Sequence, residues 1–335
     1  MINNPIFIIG TERSGTNLLR LMLNIHENIY VPHPPHILKN FTPLLKHYGD
    51  LSSEENFMNL LTDVVKSIRL HPYKWEFDIE IKNIRKKVQE KSLFGIFSAI
   101  YEDALKHKDK KRYCCKSTFM IHHVDEILQI YPNAQFIFMI RDGRDVAVSA
   151  KKSIFNHFHP YFTAKLWSKE SKVGLSLIKN LSEKQISLVK YEDLTKDSSK
   201  VLQEICIFLN EPFSEKLIEF HKTKEAELSG SLSPSWENTK KPVLKTNYNK
   251  FKKELSQEEI DIFESISKDE LQKFNYQLVS KNKNEIIYNY TYYKAFEILN
   301  MINVQITHFI HGKKNILRYK KYWFLKSRKW FVHGK

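Results

Sequence analysis

Two continuous apolar runs predict buried strands of a parallel sheet. The runs Ile6–Ile9 and Gln135–Ile140 are rich in β-branched or aromatic residues and do not alternate with polar ones, as expected for strands covered on both faces. Shorter strand-like segments lie at Arg112–Cys115 and Ile186–Lys190, and helical patterns separate all four. This alternation is typical of an α/β fold with a doubly wound parallel sheet and helices on both faces.

The loops that follow three of these strands are expected to share one edge of the sheet. Right-handed crossovers bring the carboxyl ends of parallel strands together. They therefore align the loops Gly10–Thr16, Lys116–Thr118 and Arg141–Arg144. Open α/β sheets bind their ligands at this edge.

The first of these loops has the glycine spacing of a phosphate-binding loop. Gly10 and Gly15 separate a buried strand from a helical pattern, so backbone N–H groups and the helix dipole would converge on an anion. The P-loop of ATPases has Lys followed by Ser or Thr where Thr16 and Asn17 stand, which disfavours γ-phosphoryl transfer here. Arg13 can supply positive charge to a nucleotide with a single 5′-phosphate or phosphosulfate. The alternative is a glycine-containing turn in which Arg13 only forms a surface salt bridge.

The loop after Gln135–Ile140 predicts a second anion site. Arg141 stands at the carboxyl end of the strand and Ser149 in the early turns of the next helix, where a guanidinium and a hydroxyl can clamp a phosphate. Asp145 could cap that helix, and Gly143 permits a tight turn. Alternatively, the loop is structural and holds an internal ion pair. Two anion sites on one edge imply a ligand with two separated anionic groups.

Composition narrows the class of partner without identifying it. The 335 residues carry a formal net charge of +15, which favours anionic partners but does not distinguish nucleotide, glycan, nucleic acid and membrane. Cys114, Cys115 and Cys206 form neither a disulfide framework nor a spaced metal site, so we expect a reducing, cytoplasmic location. The run Ile6–Ile9 is too short for a signal peptide or a membrane span.

The carboxyl-terminal stretch differs from the rest of the chain. We predict a main domain over residues 1–280 and a basic, aromatic-rich extension over residues 281–335. From Ile298 to Lys335 the sequence has nine Lys or Arg and no Asp or Glu. We expect this extension to contact an anionic membrane surface or polymer peripherally, and the alternative is a final helix packed on the main domain. The side chains expected at the surface are Tyr322, Trp323, Phe324, Trp330 and Phe331 with Lys320, Lys321, Lys326, Arg328 and Lys329.

The motifs together resemble one known family. Pro5–Leu23 resembles the 5′-phosphosulfate loop of sulfotransferases that use 3′-phosphoadenosine 5′-phosphosulfate (PAPS), and Tyr131–Ser153 resembles their 3′-phosphate segment. Val189–Leu194 is similar to the Tyr-Glu-Asp-Leu segment of that family. Lys241–Leu255 is similar to a late loop that closes over the nucleotide, with Phe251 where a Trp is usual. The resemblance covers roughly residues 5 to 278 and is closest to the tyrosylprotein and bacterial glycan-type branch.

This resemblance implies a sulfotransferase domain that moves a sulfuryl group from PAPS to a hydroxyl acceptor. It implies no metal, adenosine 3′,5′-bisphosphate as the product, and a glycan, lipid-linked glycan or other small molecule as the acceptor. It assigns Arg13 and Lys116 to catalysis at the phosphosulfate, Arg141 and Ser149 to the 3′-phosphate, and Tyr191 to a position near the adenine. The cofactor-binding residues that it implies are Arg13, Ser14, Gly15, Thr16, Asn17, Arg141, Ser149, Tyr191 and Lys250.

The catalytic base departs from the family pattern. Related enzymes place a Glu where this chain has Pro34. The same loop contains His33 and His36, and a neutral imidazole has a suitable ordinary pKa for a general base. We favour His36 over His33, and a carboxylate such as Glu76 or Asp78 is the alternative.

Two other functions share some of these features. A nucleotide or small-molecule kinase would use the same strand, loop and helix, but should carry Lys and Ser or Thr at positions 16 and 17. A binder of nucleic acid or of an anionic surface would use the basic aromatic extension. We do not expect nucleic acid as a partner of the main domain, and the specificity loops carry no pattern that identifies the acceptor.

Overall fold

A five-stranded parallel sheet forms the centre of the computed structural model, which describes residues 4–153, 158–232, 234–280, 290–314 and 316–329. The strands are β1 (Ile6–Gly10), β2 (Ile29–Tyr30), β3 (Arg112–Lys116), β4 (Gln135–Ile140) and β5 (Ile186–Lys190). Their order in the sheet is β2-β3-β1-β4-β5. Four strands match the prediction within one residue, whereas β2 is too short for a hydrophobic pattern.

Helices connect the strands, and further helices come after the last strand in the sequence. The α-helices of the described residues are α1 (Thr16–Leu23), α2 (Ile37–Phe41), α3 (Glu54–Arg69), α4 (Ile81–Lys87), α5 (Leu93–Lys108), α6 (Val124–Ile130), α7 (Gly143–Lys151), α8 (Pro160–Asn180), α9 (Tyr191–Lys196), α10 (Ser198–Leu209), α11 (Lys224–Leu232), α12 (Phe251–Glu254), α13 (Gln257–Lys273), α14 (Tyr290–Lys314) and α15 (Ile316–Ser327). Short 3-10 segments lie at Thr42–His47, Thr118–His122, Glu215–Lys222 and Pro234–Lys240.

Side chains of the strands alternate between two apolar cores on opposite faces of the sheet. Phe7 and Ile9 of β1 belong to one core, to which α3, α5, α7, α8 and α13 contribute. Ile6 and Ile8 belong to the other, to which α1 and α10 contribute. The prediction of a doubly wound α/β fold with helices on both faces is therefore confirmed.

The central position of β1 brings the three functional loops to one edge. Ile8 pairs in parallel with Lys116 of β3, and Gly10 pairs with Met139 of β4. A Cβ atom on Gly10 would lie 2.2 Å from the carbonyl oxygen of Met139, so the strand can approach its neighbour this closely only with glycine. The loops that begin at Gly10, Lys116 and Arg141 consequently leave the sheet side by side.

A buried cluster of charged side chains joins α7 to α13. The Arg144 guanidinium donates to Asp142 at 2.7 Å and to Glu264 at 2.5 Å, and it lies 4.0 Å from the ring centre of Phe251. Asp142 caps α7 by accepting from the backbone N–H of Arg144. The predicted capping role of Asp145 is therefore wrong, because α7 begins before it and its carboxylate accepts from the N–H of Phe251 instead.

The carboxyl-terminal helices pack on the main domain. Tyr293 of α14 stacks on Tyr161 of α8 with 3.8 Å between ring centres, and Lys66 of α3 lies 5.1 Å from the ring centre of Phe324 of α15. Lys321 and Phe324 are buried, so their predicted contact with a membrane surface is wrong for these two side chains.

The middle of α14 exposes an apolar stripe. No Asp, Glu, Lys or Arg stands between Glu297 and Lys313. None of the helices in the described ranges is long and apolar enough to cross a membrane. Trp330 and Phe331, which the sequence analysis also assigned to a membrane surface, lie outside the described residues. The apolar stripe consists of Ile298, Ile302, Ile306, Phe309 and Ile310, each about half exposed.

Candidate active site

A cavity of about 900 Å³ opens at the carboxyl edge of the sheet. The three edge loops line it together with the segment after β2, the segment between α11 and α12, and α15. Eleven of the twelve sequence-predicted site residues contribute to its wall. These are Arg13, Gly15, Thr16, Asn17, His33, His36, Lys116, Arg141, Ser149, Tyr191 and Lys250. The exception is Ser14, whose side chain is completely buried and does not reach the cavity.

The phosphate-binding loop adopts an unusual backbone at two positions. Arg13 and Gly15 have φ angles of 74° and 90°, in the left-handed region. No side chain caps the amino terminus of α1, and the N–H groups of Leu18 and Leu19 donate to the Gly15 carbonyl. The N–H groups of Thr16 and Asn17, which line the cavity, are the donors of this turn that a ligand could use. The amide nitrogen of the Asn17 side chain is buried without a hydrogen-bond partner among the described residues. The loop therefore offers several donors to an anion.

Arg13 connects the two predicted anion sites. Its Nε donates to Ser149 Oγ at 3.0 Å, and Arg141 Nη1 donates to the Arg13 carbonyl at 3.4 Å. Burial and the nearby Arg141 lower the pKa of Arg13 to about 10. A bound anion would relieve the repulsion between these guanidinium groups. The tertiary structure thus places the two predicted sets of donors next to each other.

Tyr191 holds Arg141 and a late segment of the chain against the phosphate-binding loop. A Cβ atom on Gly15 would lie 2.2 Å from the Tyr191 ring, and the Arg141 guanidinium lies 4.4 Å from the centre of the same ring. Asn247 Nδ2 donates to the Tyr191 hydroxyl at 2.6 Å, while Arg141 Nη2 donates to the Asn247 carbonyl at 3.0 Å. Lys250 enters the cavity wall from this same segment.

Lys116 is a buried cation at the end of β3. It lines the cavity and forms no ion pair within the described part of the chain. Burial, and secondarily the charge of Arg20, lowers the pKa of Lys116 to about 7. An ammonium group held in the interior without a carboxylate is typical of a site that receives an anion.

Arg20 is a structural support of the site that sequence reasoning missed. It is completely buried in α1, where its Nε donates to Asn17 Oδ1 at 2.9 Å. Its Nη atoms donate to Glu225 at 2.5 Å and to Ser229 at 2.8 Å, both on α11. Arg20 therefore orients Asn17 and attaches α11 to the phosphate-binding loop. The sequence did contain a signal for this role, because Arg20 is a charged residue among the apolar residues of a helical pattern.

Three histidines cluster in the cavity, although only two were predicted. His71 lies with its ring centre 5.1 Å from that of His33 and 6.4 Å from that of His36. Burial above all lowers the pKa of His33 and of His36 well below the ordinary value, so both imidazoles are neutral at pH 7. Within the described ranges, no group of His, Cys, Asp and Glu side chains is arranged to hold a metal ion.

His36 occupies a strained position next to the cavity. It precedes α2 with a φ of 59°, in the left-handed region that non-glycine residues seldom adopt. Its Nδ1 is buried and has no hydrogen-bond partner among the described residues. A neutral imidazole with an unoccupied nitrogen can accept a proton.

The two carboxylates considered as alternative bases lie outside the cavity. The Glu76 and Asp78 side chains are 71% and 70% exposed, and each pairs with a basic side chain on the surface. The suggestion that either is the base is therefore wrong. The carboxylates that line the cavity, among the described residues, are Glu12 and Asp145.

A family model described as the sulfotransferase family matches residues 5–215, more than half of the chain. The chain belongs to the sulfotransferase family. The matched part contains β1 to β5, the phosphate-binding loop, Arg141, Ser149 and Tyr191. The predicted family membership is thus confirmed, while the roles of individual site residues stay predictions.

Curated relatives of this sulfotransferase include protein-tyrosine sulfotransferases. The protein from Drosophila melanogaster is 25% identical over 219 residues, which cover 64% of this chain and 39% of the fly protein. Protein-tyrosine sulfotransferase A from Caenorhabditis elegans is 24% identical over 253 residues, which cover 71% of this chain and 58% of the worm protein. The chain spans only about two fifths to three fifths of the length of these relatives.

Solved sulfotransferase structures share the fold. The sulfotransferase domain from the curacin biosynthetic pathway superposes with a TM-score of 0.60 at 20% identity, covering 83% of this chain and 99% of that domain. The corresponding domain of the Synechococcus PCC 7002 olefin synthase gives a TM-score of 0.55 at 20% identity, covering 83% of this chain and 96% of that domain. At this level of identity the likeness establishes the architecture alone.

The low pKa of Lys116 predicts pH-dependent anion binding by this sulfotransferase. As pH rises through about 7, Lys116 loses its charge, so the affinity for inorganic sulfate should fall at least about tenfold between pH 7 and pH 9. Sulfate keeps its charge over this range. Calorimetric titration measures the affinity at each pH.

The Lys116→Met variant should bind sulfate weakly, and the pH dependence that remains should come from Lys321, which lines the same cavity with a pKa of about 7. The Lys46→Met variant, which removes an exposed lysine outside the cavity, should behave like the wild type. Sulfate affinity that does not change with pH in the wild type would show that Lys116 is not neutralised in this range.

Proposed function

We propose that this sulfotransferase uses PAPS as its donor and a hydroxyl group as its acceptor. The observation that carries the proposal is the meeting of two sets of anion-binding donors in one cavity. The phosphate-binding loop with Lys116 fits the phosphosulfate, and Arg141 with Ser149 fits the 3′-phosphate. The unpartnered nitrogens of Asn17 and Arg141 indicate that this wall of the cavity is built to donate hydrogen bonds.

The proposed reaction is an in-line transfer between two oxygens. A bond forms between the acceptor oxygen and sulfur, the bond from sulfur to the 5′-phosphate oxygen breaks, and adenosine 3′,5′-bisphosphate leaves. Arg13 and Lys116 would stabilise the negative charge that develops on the leaving oxygen and on the sulfuryl group. The proton of the acceptor hydroxyl must pass to a base.

His36 is the base that we propose. Its neutral imidazole lies on the cavity wall near Lys116, whose charge helps to depress the pKa of His36. Negative charge bound at Lys116 would offset that effect and raise the basicity of the imidazole when the donor site is filled. His33 is more enclosed, because its ring stacks on Tyr73 with 4.7 Å between ring centres.

The alternative function for the same phosphate-binding loop is that of a kinase. A kinase would hold the β- and γ-phosphates with Lys and a magnesium ion with Ser or Thr. Thr16 and Asn17 occupy those positions, and Asn17 is engaged with Arg20. The family membership also favours sulfuryl transfer over phosphoryl transfer.

For the acceptor we propose only the group that reacts, which is a hydroxyl. The names of the relatives point to a tyrosine hydroxyl in a protein, whereas our prediction from the sequence is a glycan, a lipid-linked glycan or another small molecule. All of these present a hydroxyl oxygen to the same base. Screening pools of these compounds with labelled PAPS identifies the class.

Adenosine 3′,5′-bisphosphate should bind much more tightly than AMP, because only the former carries the 3′-phosphate. Arg141→Ala should cost about 2 to 4 kcal/mol of bisphosphate binding and leave AMP binding nearly unchanged. The Arg69→Ala variant, which removes an exposed arginine that does not line the cavity, serves as the control. Thermal-shift and calorimetric titrations provide the affinities, and equal binding of the two nucleotides would remove the argument for a 3′-phosphate site.

His36→Ala should lower kcat by roughly 10² to 10⁴, the range for loss of a general base, with little change in nucleotide affinity. In the wild type, activity should rise with pH on an acidic limb centred below pH 6.5, because the depressed pKa of His36 sets the loss of its proton. His33→Ala should have a smaller effect, and His47→Ala, outside the cavity, none. Near-normal turnover in the first two variants would move the base to Glu12, tested by Glu12→Gln.

We also propose a cytoplasmic location with peripheral contact to an anionic membrane. The three cysteines are free, as expected in a reducing compartment. The apolar stripe of α14 leads directly into the basic helix α15, and a half-exposed apolar helical face next to a cluster of lysines suits the surface of an anionic bilayer. We therefore propose that α14, rather than the buried side chains of α15, makes this contact.

The wild-type protein should cosediment with phosphatidylserine-containing vesicles at low salt and less at high salt. Replacing both Ile302 and Phe309 by Ser should weaken binding more than about tenfold, because burial of each side chain contributes about 1.5 to 3 kcal/mol. The control is Ile207→Ser, which removes an even more exposed apolar side chain from α10. Absence of vesicle binding at low salt, or equal binding by the double variant, would contradict a membrane role for α14.

A further inference from the structure

The helix α15 contributes a wall to the active-site cavity, although it lies beyond the residues that the family model matches. Its four cavity-lining residues are spaced by three or four positions and therefore share one face of the helix. Two of the four are cations. These residues are Arg318, Lys321, Tyr322 and Leu325.

Lys321 is buried without a carboxylate partner among the described residues. Its Nζ donates to the carbonyl oxygen of Pro35 at 3.2 Å, which occupies one of the three donors of an ammonium group. Burial alone lowers the pKa of Lys321 to about 7, and burial also lowers the pKa of Arg318. An anion bound beside such an interior ammonium group would stabilise its charged form.

The position of Lys321 relates it to the reaction. Pro35, whose carbonyl it contacts, directly precedes the proposed base His36, and the charge of Lys321 contributes to the low pKa of both His36 and His71. The donors that fit PAPS lie on the sheet-edge loops and not on α15. The Lys321 ammonium group is therefore available to a different ligand near the base.

We propose that Lys321 and Arg318 bind an anionic group on the acceptor, so that the substrate is a hydroxyl compound that also carries a phosphate or carboxylate close to the reacting oxygen. This inference rests on the proposed sulfuryl transfer. A neutral acceptor would gain no charge interaction with Lys321, whose only side-chain hydrogen bond among the described residues is to the Pro35 carbonyl. An anionic acceptor would pair with Lys321 and Arg318 and place its hydroxyl beside His36.

The test separates this site from the donor site. The protein is first saturated with adenosine 3′-phosphate 5′-diphosphate, whose terminal phosphate stands for the sulfuryl group of PAPS. Inorganic phosphate and, separately, acetate are then titrated calorimetrically at pH 6.5. Wild-type protein should bind one further anion, and whether phosphate or acetate binds more tightly indicates which group the acceptor carries.

Matched variants assign that binding to α15. Lys321→Met should weaken it at least tenfold, Arg318→Gln should weaken it less, and Lys321→Arg should retain it. Lys320→Met removes an exposed lysine from the neighbouring position of the same helix and should bind like the wild type. The melting temperature of Lys321→Met should be unchanged or higher, because a buried uncompensated charge is replaced by an apolar side chain of similar size. A merely structural lysine would instead lower it.

The outcomes distinguish the two proposals. Failure of the nucleotide to bind would reject the proposed donor and hence the proposed function. If the nucleotide binds but no second anion does, or if Lys321→Met binds the anion as tightly as the wild type, the acceptor subsite on α15 is refuted while the donor assignment stands.

Discussion

Arg13 and Arg141 are two guanidinium groups held close together at the carboxyl edge of a buried sheet. Their partners include the hydroxyl of Ser149, backbone carbonyls and the ring of Tyr191. Asp145 approaches Arg141 only to 3.8 Å. Such an arrangement persists because the surrounding fold imposes it, and it is relieved when an anion binds.

Burial, assisted at Lys116 and at the histidines by neighbouring cations, explains the state of the other cavity residues. Lys116 and Lys321 lie in the interior with pKa values of about 7, and the neighbouring histidines are kept neutral. A neutral imidazole is the form that can accept a proton. In the proposed reaction, the cations that would bind the donor also help to keep the base neutral, and donor binding would restore part of its basicity.

Segments far apart in the sequence form the walls of the cavity that contains these cations. Arg20 attaches α11 to the phosphate-binding loop through Glu225 and Ser229, and Asn247 attaches the late segment through Tyr191. The helix α15 adds a wall outside the part of the chain that matches the family. The phosphate-binding loop, Arg141 and Ser149 lie in the part of the chain that matches the family, whereas the cavity wall beside His36 includes residues beyond that part.

The sequence by itself determined four of the five strands, the phosphate-binding loop and the family. Apolar runs, glycine spacing and arginine positions are local patterns that can be recognised in the sequence. Because the carboxyl ends of parallel strands meet at one edge of the sheet, these patterns also predict that the loops share one site. The sequence could not show that Ser14 is buried while Gly15 lines the cavity. The two residues are adjacent in one loop, and only the folded backbone decides which of them faces the cavity. Sequence reasoning also assigned Lys321 to a membrane surface. Only the packing of α15 decided that this lysine faces the cavity, since a basic helix has the same composition whichever surface it covers.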